Sequence, residues 1–527
     1  MAERGEWQFP ERAEASIVEL QAAMTGGQLT ARELVRLYLA RIEALDRGGP
    51  RLNAVLETNP EALDIAARRD DERRAGRVRG PLHGIPILLK DNVDTADGMM
   101  TAAGSLALLG TPAGQDATVA ARLREAGAIL LGKTNMSEWA NFRSSHSSSG
   151  WCGRNGQSRN AYAPDRSPSG SSSGSAVAAA AALCAVALGT ETDGSIVSPA
   201  GANGVVGLKP SIGLVSRAGV VPIAHSQDTV GVHARSVADA TAVLTALAAT
   251  TPDPRDPATH AAMGAAASGA AASGAAGDYT RFLDPDGLRG ARVGVARNLG
   301  FGASEKGDAV MEAVIRAMRD AGCGIVDPAP VPSDLRAASE AEMAVLQFEF
   351  KAGLNSYLAT RRDVALDREG FPLSLVGLIG FNEAHAREEL ALFGQDLLLA
   401  SEVRGPLSDP TYLNALETSR RLSGPEGLDR VLDEHSLDAL VAPTGGPAWL
   451  IDPINGDSGV AGSAGPAARA GYPLISVPAG FVSGLPVGLT FMGRRFSEAI
   501  LVRLAYSFER HVAARRPPHL EPVPPTG

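Results

Sequence analysis

The chain has 527 residues, of which 44% are hydrophobic and 20% are charged, and its formal net charge is −10 at pH 7. This composition predicts a globular protein with a large core, whereas the acidic balance and the lack of a long basic run argue against a nucleic-acid-binding surface. No secretory signal is visible, and the longest apolar run, residues 176–189, is too short to span a bilayer. We therefore expect a soluble, cytoplasmic protein without membrane association, with a trimmed secreted precursor as the alternative.

The three cysteines, Cys152, Cys184 and Cys323, are odd in number and widely spaced. This pattern predicts neither a disulfide framework nor a zinc site, and it favours a reducing compartment. No spacing of His, Cys, Asp and Glu indicates a metal centre, so we expect no metal and no cofactor.

The first segments of the chain predict helices. Residues 13–45 predict two amphipathic helices because Leu34, Leu37 and Ile42 recur near helical spacing. Residues 59–74 predict a further, charged helix.

A short apolar strand ending in a lysine follows in the segment PLHGIPILLKDNVDT, residues 81–95. Residues 82–135 alternate strand, loop, helix and strand, as in an α/β unit. Lys90 ends the first strand, where a lysine usually extends its amine to water. If Lys90 points inward instead, desolvation lowers its pKa and makes it a candidate general base.

A Gly/Ser-rich segment, PSGSSSGSAVAAAAALCAVALGT, covers residues 168–190 and precedes an apolar helix. Taken alone it indicates a flexible polar loop or a linker. It also matches the G-x-S-x-G nucleophile elbow with Ser172 as the nucleophile. That elbow requires a strand directly before the turn, and the preceding RNAYAPDRSP has two prolines and no apolar run. We therefore disfavour the elbow.

The segment GTETDGSIVSPAGANGVVGLKP, residues 189–210, places Ser195 at the end of a tight turn before a short helix. The backbone N–H groups of Thr192, Asp193, Gly194 and Ser195 are predicted to be free at that turn. A hydroxyl beside free N–H donors is the minimum equipment for acyl transfer, a nucleophile plus an oxyanion hole. The alternative is that Ser195 merely caps the helix that follows it.

The rest of the chain alternates strands and helices around one unusual tract. Residues 261–277 are an Ala/Gly/Ser run, for which a mobile surface loop or disorder is favoured over a helix. Residues 280–330 predict strand and helix, residues 335–430 predict helices, and the Pro-rich end of the chain predicts an extended tail.

A Ser–His–Asp hydrolase is the natural rival to a lysine base. Of the nine histidines, His83, His146, His225 and His233 fall near these segments. None stands beside an acidic partner in a recognisable arrangement, so we interpret them as structural or surface residues.

The three segments together resemble the amidase signature family, which combines a strand lysine, a Gly/Ser-rich run and a later G-S-I motif. The matching residues are Lys90, Ser171 and Ser195, with Ser171 lying 24 positions before Ser195. The likeness extends over residues 12–245 and 430–510. The segments ETDGSIV, SEWANFR and APTGGPAWLID most resemble those of bacterial peptide amidases.

The resemblance implies an α/β fold, the amidase signature fold, with a large central mixed β-sheet covered by helices on both faces. It places a helical region at 1–80, the signature core at 81–245 and an insertion at 246–280. The same catalytic domain continues over 281–515, with a variable, substrate-selecting helical region at 335–430, and a tail follows at 516–527.

The resemblance also implies a mechanism. Neutral Lys90 takes a proton from Ser171, which lies after a cis peptide bond at Gly170 and takes the proton of Ser195. Ser195 attacks the amide carbonyl, the N–H groups of residues 192–195 bind the oxyanion, and water hydrolyses the acyl-enzyme.

One departure from the family pattern bears on the substrate. Val197 stands where an arginine is usual, and Ser198 is also uncharged, so no cation is expected beside the nucleophile. We therefore predict an amidase that hydrolyses neutral, linear amides, small or peptidic, foremost C-terminal peptide amides. The alternatives are a urethanase or aryl acylamidase, and the glutamine-hydrolysing subunit of a tRNA-dependent amidotransferase; the oligomeric state stays open.

Overall fold

An 11-stranded mixed sheet forms the centre of the computed structural model, which describes residues 11–267, 277–458 and 462–520. The strand order across the sheet is β1-β3-β2-β6-β8-β7-β12-β13-β11-β9-β10, and β4 and β5 form a separate hairpin. The strands are β1 Val55–Thr58, β2 Pro86–Lys90, β3 Ile129–Thr134, β4 Trp151–Cys152, β5 Gly156–Gln157, β6 Val186–Glu191, β7 Val206–Lys209, β8 Thr229–Ala234, β9 Arg292–Val295, β10 Gly324–Val326, β11 Ala439–Pro443, β12 Leu474–Val482 and β13 Leu485–Met492.

The sheet is parallel in two places, where β2 pairs with β3 and β6, and where β9 pairs with β10 and β11. The other pairs are antiparallel. Every residue of β2, β6 and β11 is buried, which agrees with their nearly continuous apolar sequences, because strands covered on both faces do not alternate with polar residues.

Helices flank the sheet, as predicted, and none in the described residues is long and apolar enough to cross a membrane. The α-helices are α1 Glu11–Glu14, α2 Ile17–Thr25, α3 Ala31–Arg41, α4 Ala62–Arg74, α5 Thr118–Glu125, α6 Ser173–Ala180, α7 Val197–Ala202, α8 Val237–Leu247, α9 Thr259–Ala267, α10 Glu305–Asp320, α11 Leu335–Leu358, α12 Ala365–Arg368, α13 Leu375–Ala384, α14 Asp396–Glu402, α15 Pro410–Ser423, α16 Arg430–Glu434, α17 Gly465–Ala470 and α18 Glu498–Val512.

Most predicted elements are confirmed. The helices expected within 13–45 are α2 and α3, each begun by a capping box at Ser16 and Thr30. The region 1–80 is not wholly helical, because β1 joins the edge of the sheet.

The Ala/Gly/Ser tract at 261–277 does not begin as the expected loop. Its first part belongs to α9, since alanine has the highest helix propensity and Ala262 is buried against the core. Residues 268–276 lie outside the described residues.

Helix α6, which follows the Gly/Ser-rich run, is buried along its whole length. Two arginines from other elements bind the backbone carbonyls beyond its C-terminus. Arg41 donates to Ala181 O at 2.7 Å and to Ala182 O at 2.9 Å, and Arg235 donates to Cys184 O at 2.8 Å. These bonds satisfy carbonyl groups that a buried helix end would otherwise leave without partners.

We predict that Arg41→Met lowers the free energy of unfolding by about 2–3 kcal/mol, because two buried carbonyls lose a charged donor. Urea unfolding followed by circular dichroism measures the loss. Arg36→Met, an exposed position on the same helix, is the matched control and should be nearly neutral. Equal midpoints for the two variants would contradict the role given to Arg41.

Candidate active site

Lys90 lies at the carboxyl end of β2, and its side chain points into the protein. Because β2 and β6 are parallel, Lys90 and Thr190 reach the same edge of the sheet. The Lys90 Nζ donates to Ser171 Oγ at 2.8 Å and to Thr190 Oγ1 at 2.9 Å. Lys90 is 0% exposed, so the alternative that its amine extends to water is wrong.

Burial lowers the pKa of Lys90 to about 7, against the opposing effect of the Asp228 and Glu191 charges. Desolvation dominates because an ammonium group away from water loses hydration that two carboxylates at a distance do not replace. The amine is therefore partly neutral near neutral pH, unlike that of an ordinary lysine.

Ser171 contacts this lysine directly, and Ser195 is joined to the same Gly/Ser-rich run by a backbone hydrogen bond. The peptide bond between Gly170 and Ser171 is cis. The Ser172 N–H donates to Ser195 O at 3.2 Å, which joins the Gly/Ser-rich run to the turn after β6. The segments predicted to supply Lys90, Ser171 and Ser195 thus meet at one place in the fold.

The turn of residues 192–195 runs from the end of β6 to the start of α7. In the described part of the chain, none of its four backbone N–H groups donates a hydrogen bond to a protein group. Gly194 has φ +81°, a left-handed conformation in which a side chain would be strained. Ser195 does not cap α7, whose N-cap is Ile196 with no side-chain cap bond.

A carboxylate that the sequence analysis missed holds this turn. Glu191 Oε2 accepts from the N–H of Ile196 at 2.7 Å and of Val197 at 3.0 Å. These two donors begin α7, so Glu191 satisfies them and leaves the N–H groups of the turn itself available. The signal was the acidic residue four positions before Ser195, at the end of a strand.

Ser172 is not placed as an elbow nucleophile. Its hydroxyl donates to Thr190 O at 3.0 Å and accepts from Thr190 N at 3.2 Å. Residues 158–170 contain no strand, so the strand–turn–helix context of the elbow is absent there.

The histidines do not form a triad with these serines. His233 is buried, which lowers its pKa to about 3, and its Nε2 donates to Ile196 O at 2.9 Å. His83 contacts Arg69 O, and the exposed His225 lies 3.4 Å from Glu349. Among the described residues, neither these three nor His146 bonds to a serine hydroxyl of the site.

A buried arginine stands near the turn, and no pattern in the sequence indicated it. Arg469 on α17 has its Nη1 3.0 Å from Glu342 Oε2 and 3.9 Å from Asp193 Oδ2. Its Nε donates to Ser423 Oγ at 2.9 Å. A cation therefore lies beside the turn that carries Ser195, but two carboxylates already oppose its charge.

Glu342 and Gln227 connect this cluster to the turn. Gln227 Nε2 donates to Glu342 Oε1 at 2.7 Å and to Thr192 O at 3.4 Å. Burial and the Asp193 charge raise the pKa of Glu342, against the opposing effect of the Arg469 charge. Glu342 belongs to α11, in the region 335–430 that was predicted to select substrate.

All three cysteines are free and buried. Burial raises the pKa of Cys184 to about 12 and that of Cys323 to about 11, which makes both thiols poor nucleophiles. No group of three His, Cys, Asp or Glu side chains in the described residues could hold a metal ion.

Comparison with known proteins places the chain among amide-cleaving enzymes. The family model described as Amidase matches residues 33–502. The native peptide amidase structure from Stenotrophomonas maltophilia is 52% identical, with a TM-score of 0.89 over 98% of this chain and 100% of that one. The "Probable amidase" of Arabidopsis thaliana is 39% identical over 96% of this chain and 91% of its own length. A glutamyl-tRNA(Gln) amidotransferase subunit of Chloroflexus aurantiacus is 35% identical over 94% of this chain and 96% of its own length.

Proposed function

Because this chain belongs to the amidase family and is a hydrolase that acts on amides, we propose that it is a serine amidohydrolase with Ser195 as its nucleophile. Its preferred substrates are neutral amides, foremost C-terminal peptide amides. The observation that carries the proposal is the 2.8 Å hydrogen bond between the buried Lys90 amine and Ser171 Oγ; Ser172, the next residue, donates its N–H to Ser195 O.

The proton path follows this bond. Neutral Lys90 takes the proton of Ser171, and Ser171 takes the proton of Ser195 as its oxygen attacks the amide carbonyl. The N–H groups of Thr192, Asp193, Gly194 and Ser195 stabilise the resulting oxyanion. Ser171 then returns a proton to the leaving nitrogen, which departs as ammonia or an amine. Water then attacks the acyl-enzyme, and Ser171 and Lys90 again accept its proton; the ester bond to Ser195 breaks, the carboxylic acid leaves, and the proton returns through Ser171 to the Ser195 oxygen.

The peptide amidase assignment is favoured over two alternatives of the same chemistry. At similar coverage, identity to the solved peptide amidase is higher than to the amidotransferase protein. Carbamates and anilides share the acyl step, so an activity panel separates them: peptide amides, free amino acid amides, anilides and carbamates, with ammonia or amine release measured. Highest kcat/KM on a carbamate or an anilide would replace the peptide amidase proposal.

The charge cluster around Arg469 supports a neutral substrate. A substrate carboxylate entering beside the turn would lose hydration and would meet a guanidinium that Glu342 and Asp193 already oppose. We further propose that residues 335–430 select substrate partly through Glu342, which α11 brings to this cluster.

We predict that Ser195→Ala and Lys90→Met each lower kcat/KM for a peptide amide by about 10³–10⁶-fold, because each removes a member of one catalytic unit. The double variant should be little worse than either single variant, since such residues are non-additive. Steady-state ammonia release measures this, with circular dichroism to check folding.

Ser171→Ala should also be severely impaired, whereas Ser172→Ala should retain more activity because its hydroxyl bonds only to Thr190 backbone atoms. The reverse ranking would favour the elbow, and wild-type turnover by Ser195→Ala would overturn the proposed nucleophile.

The pH profile should report Lys90. Only the neutral amine accepts a proton, so kcat/KM should rise about tenfold per pH unit below 7 and level above the Lys90 pKa of about 7. Since the Asp228 charge raises that pKa, Asp228→Asn should move the rising limb to lower pH. A limb centred near the ordinary lysine pKa, or a shift in the opposite direction, would contradict this role.

Charge selection should depend on Asp193. We expect the wild type to prefer a neutral peptide amide over one bearing a carboxylate near the scissile bond. Asp193→Asn should lower the ratio of kcat/KM for the neutral substrate to kcat/KM for the acidic substrate by about tenfold, which is the effect expected of one partly screened charge. The reason is that Arg469 loses a counter-charge and can then attract the substrate carboxylate.

The matched control for this prediction is Asp286→Asn, which removes one exposed negative charge elsewhere and should leave the ratio unchanged. A wild-type preference for the acidic substrate would show that Arg469 binds substrate carboxylates despite its two acidic neighbours.

A further inference from the structure

Two adjoining cavities form a cleft that the proposed amidase mechanism does not use. Their volumes are about 490 and 290 Å³, and Ile212, Arg420 and Arg495 line both. Lys90, Ser171 and Ser195 line neither. We call this feature the arginine cleft; it lies between α15, the segment after α17 and the loop of residues 212–228.

Neither of the two shared arginines has a carboxylate partner in the part of the chain that the structure describes. Arg420, on α15, and Arg495, between β13 and α18, are exposed, and neither forms an ion pair with any residue the structure describes. Their sequence neighbours differ: Arg421 pairs with Glu426 at 2.5 Å, and Arg494 lies 2.8 Å from Asp433. Two unpaired cations thus face one concave space, while the paired ones lie beside them.

Although Arg495 reaches the surface, its partial desolvation in the cleft and the nearby charge of Arg420 both lower its pKa, against opposing effects of Tyr472 and Glu498. Glu498 is buried and accepts from the Ser211 N–H at 2.7 Å, so it is already engaged. The two guanidinium groups therefore repel one another, and an anion between them would relieve that repulsion.

The acidic residues that line the cleft are also occupied. Asp256 accepts from Arg217 Nε at 2.8 Å and Nη2 at 2.6 Å. Asp228 accepts from the Thr192 hydroxyl at 2.6 Å and from the N–H groups of Ile223 and Ala224 at 2.9 Å. Neither carboxylate compensates Arg420 or Arg495, so the cleft carries an excess of positive charge.

A buried hydroxyl gives a second, independent indication of a ligand. Ser226 lines the smaller cavity and is 4% exposed, and its Oγ has no hydrogen-bond partner in the described part of the protein. Buried polar atoms without a hydrogen-bond partner are uncommon in folded proteins, so this hydroxyl indicates a ligand group that would form the missing hydrogen bond.

We propose that the arginine cleft is a binding site for a small multivalent oxyanion, a molecule with two or more phosphate or carboxylate groups. Guanidinium groups bind both through paired N–H donors, and Ser226 supplies a hydroxyl in the smaller cavity. The volume of either cavity exceeds that of a single phosphate. The cleft therefore favours a ligand with several anionic groups over a small ion with one.

Isothermal titration calorimetry of the full chain tests the site, with pyrophosphate and citrate as probes at constant ionic strength. The wild type should bind at least one of them with a Kd below about 1 mM. The double variant Arg420→Gln/Arg495→Gln should weaken binding at least about tenfold, and Ser226→Ala should weaken it less. Tighter binding of pyrophosphate than of citrate identifies a phosphate ligand, and the reverse a carboxylate ligand.

Arg421→Gln/Arg494→Gln is the matched control, because it removes two neighbouring arginines that are ion-paired. It should bind within about twofold of the wild type. Ser195→Ala should bind normally, which separates the cleft from the amidase site. No measurable binding of either probe by the wild type at about 10 mM, or equal weakening in the two double variants, would overturn the proposal.

Discussion

The site depends on the burial of one amine. Lys90 ends a strand whose residues are all buried. Among the described residues, its Nζ contacts hydroxyl and carbonyl oxygens and no carboxylate. A carboxylate in contact would hold the lysine in its charged form. Oxygen atoms of Ser171 and Thr190 provide hydrogen-bond partners for the amine without raising its pKa as a carboxylate would. A pKa near neutral leaves part of the amine uncharged, and only the uncharged amine can accept a proton at physiological pH.

Thr190 links the two halves of this arrangement. Its side chain accepts from Lys90 and from Asn92, and its backbone bonds to the Ser172 hydroxyl. One residue of β6 therefore contacts both Lys90, the proposed base, and the Gly/Ser-rich run. Glu191, the next residue, takes the first N–H groups of α7, so consecutive residues of one strand order both sides of the Ser195 turn.

Charge around the site is distributed unevenly. Arg469 is buried and is opposed by Glu342 and Asp193, because a buried guanidinium without a counter-charge would be costly. Arg420 and Arg495 are exposed to water, so the fold tolerates them without an ion pair to any residue that the structure describes. Asp228 lies between the two environments: it lines the arginine cleft and accepts from the Thr192 hydroxyl in the turn of residues 192–195.

The sequence by itself determined the α/β class, most helices, and the three segments that supply Lys90, Ser171 and Ser195. These features are local: apolar runs, helical spacing and turn-forming residues act over a few neighbours. The preference for a loop was wrong at 261–267, where packing of Ala262 against the core favours the helix that the alanines also permit.

Only the tertiary structure decided which way Lys90 points, that Ser172 bonds Thr190, and that Glu191 holds the start of α7. It also brought Arg469 and Glu342 to Asp193, and Arg420 to Arg495, from positions far apart in the chain. Pairings of this kind come from sheet order and helix packing, which arise from contacts between distant segments. No local pattern in the sequence contains that information, because a charged residue with the same neighbours in sequence can equally lie on a solvated surface without a partner.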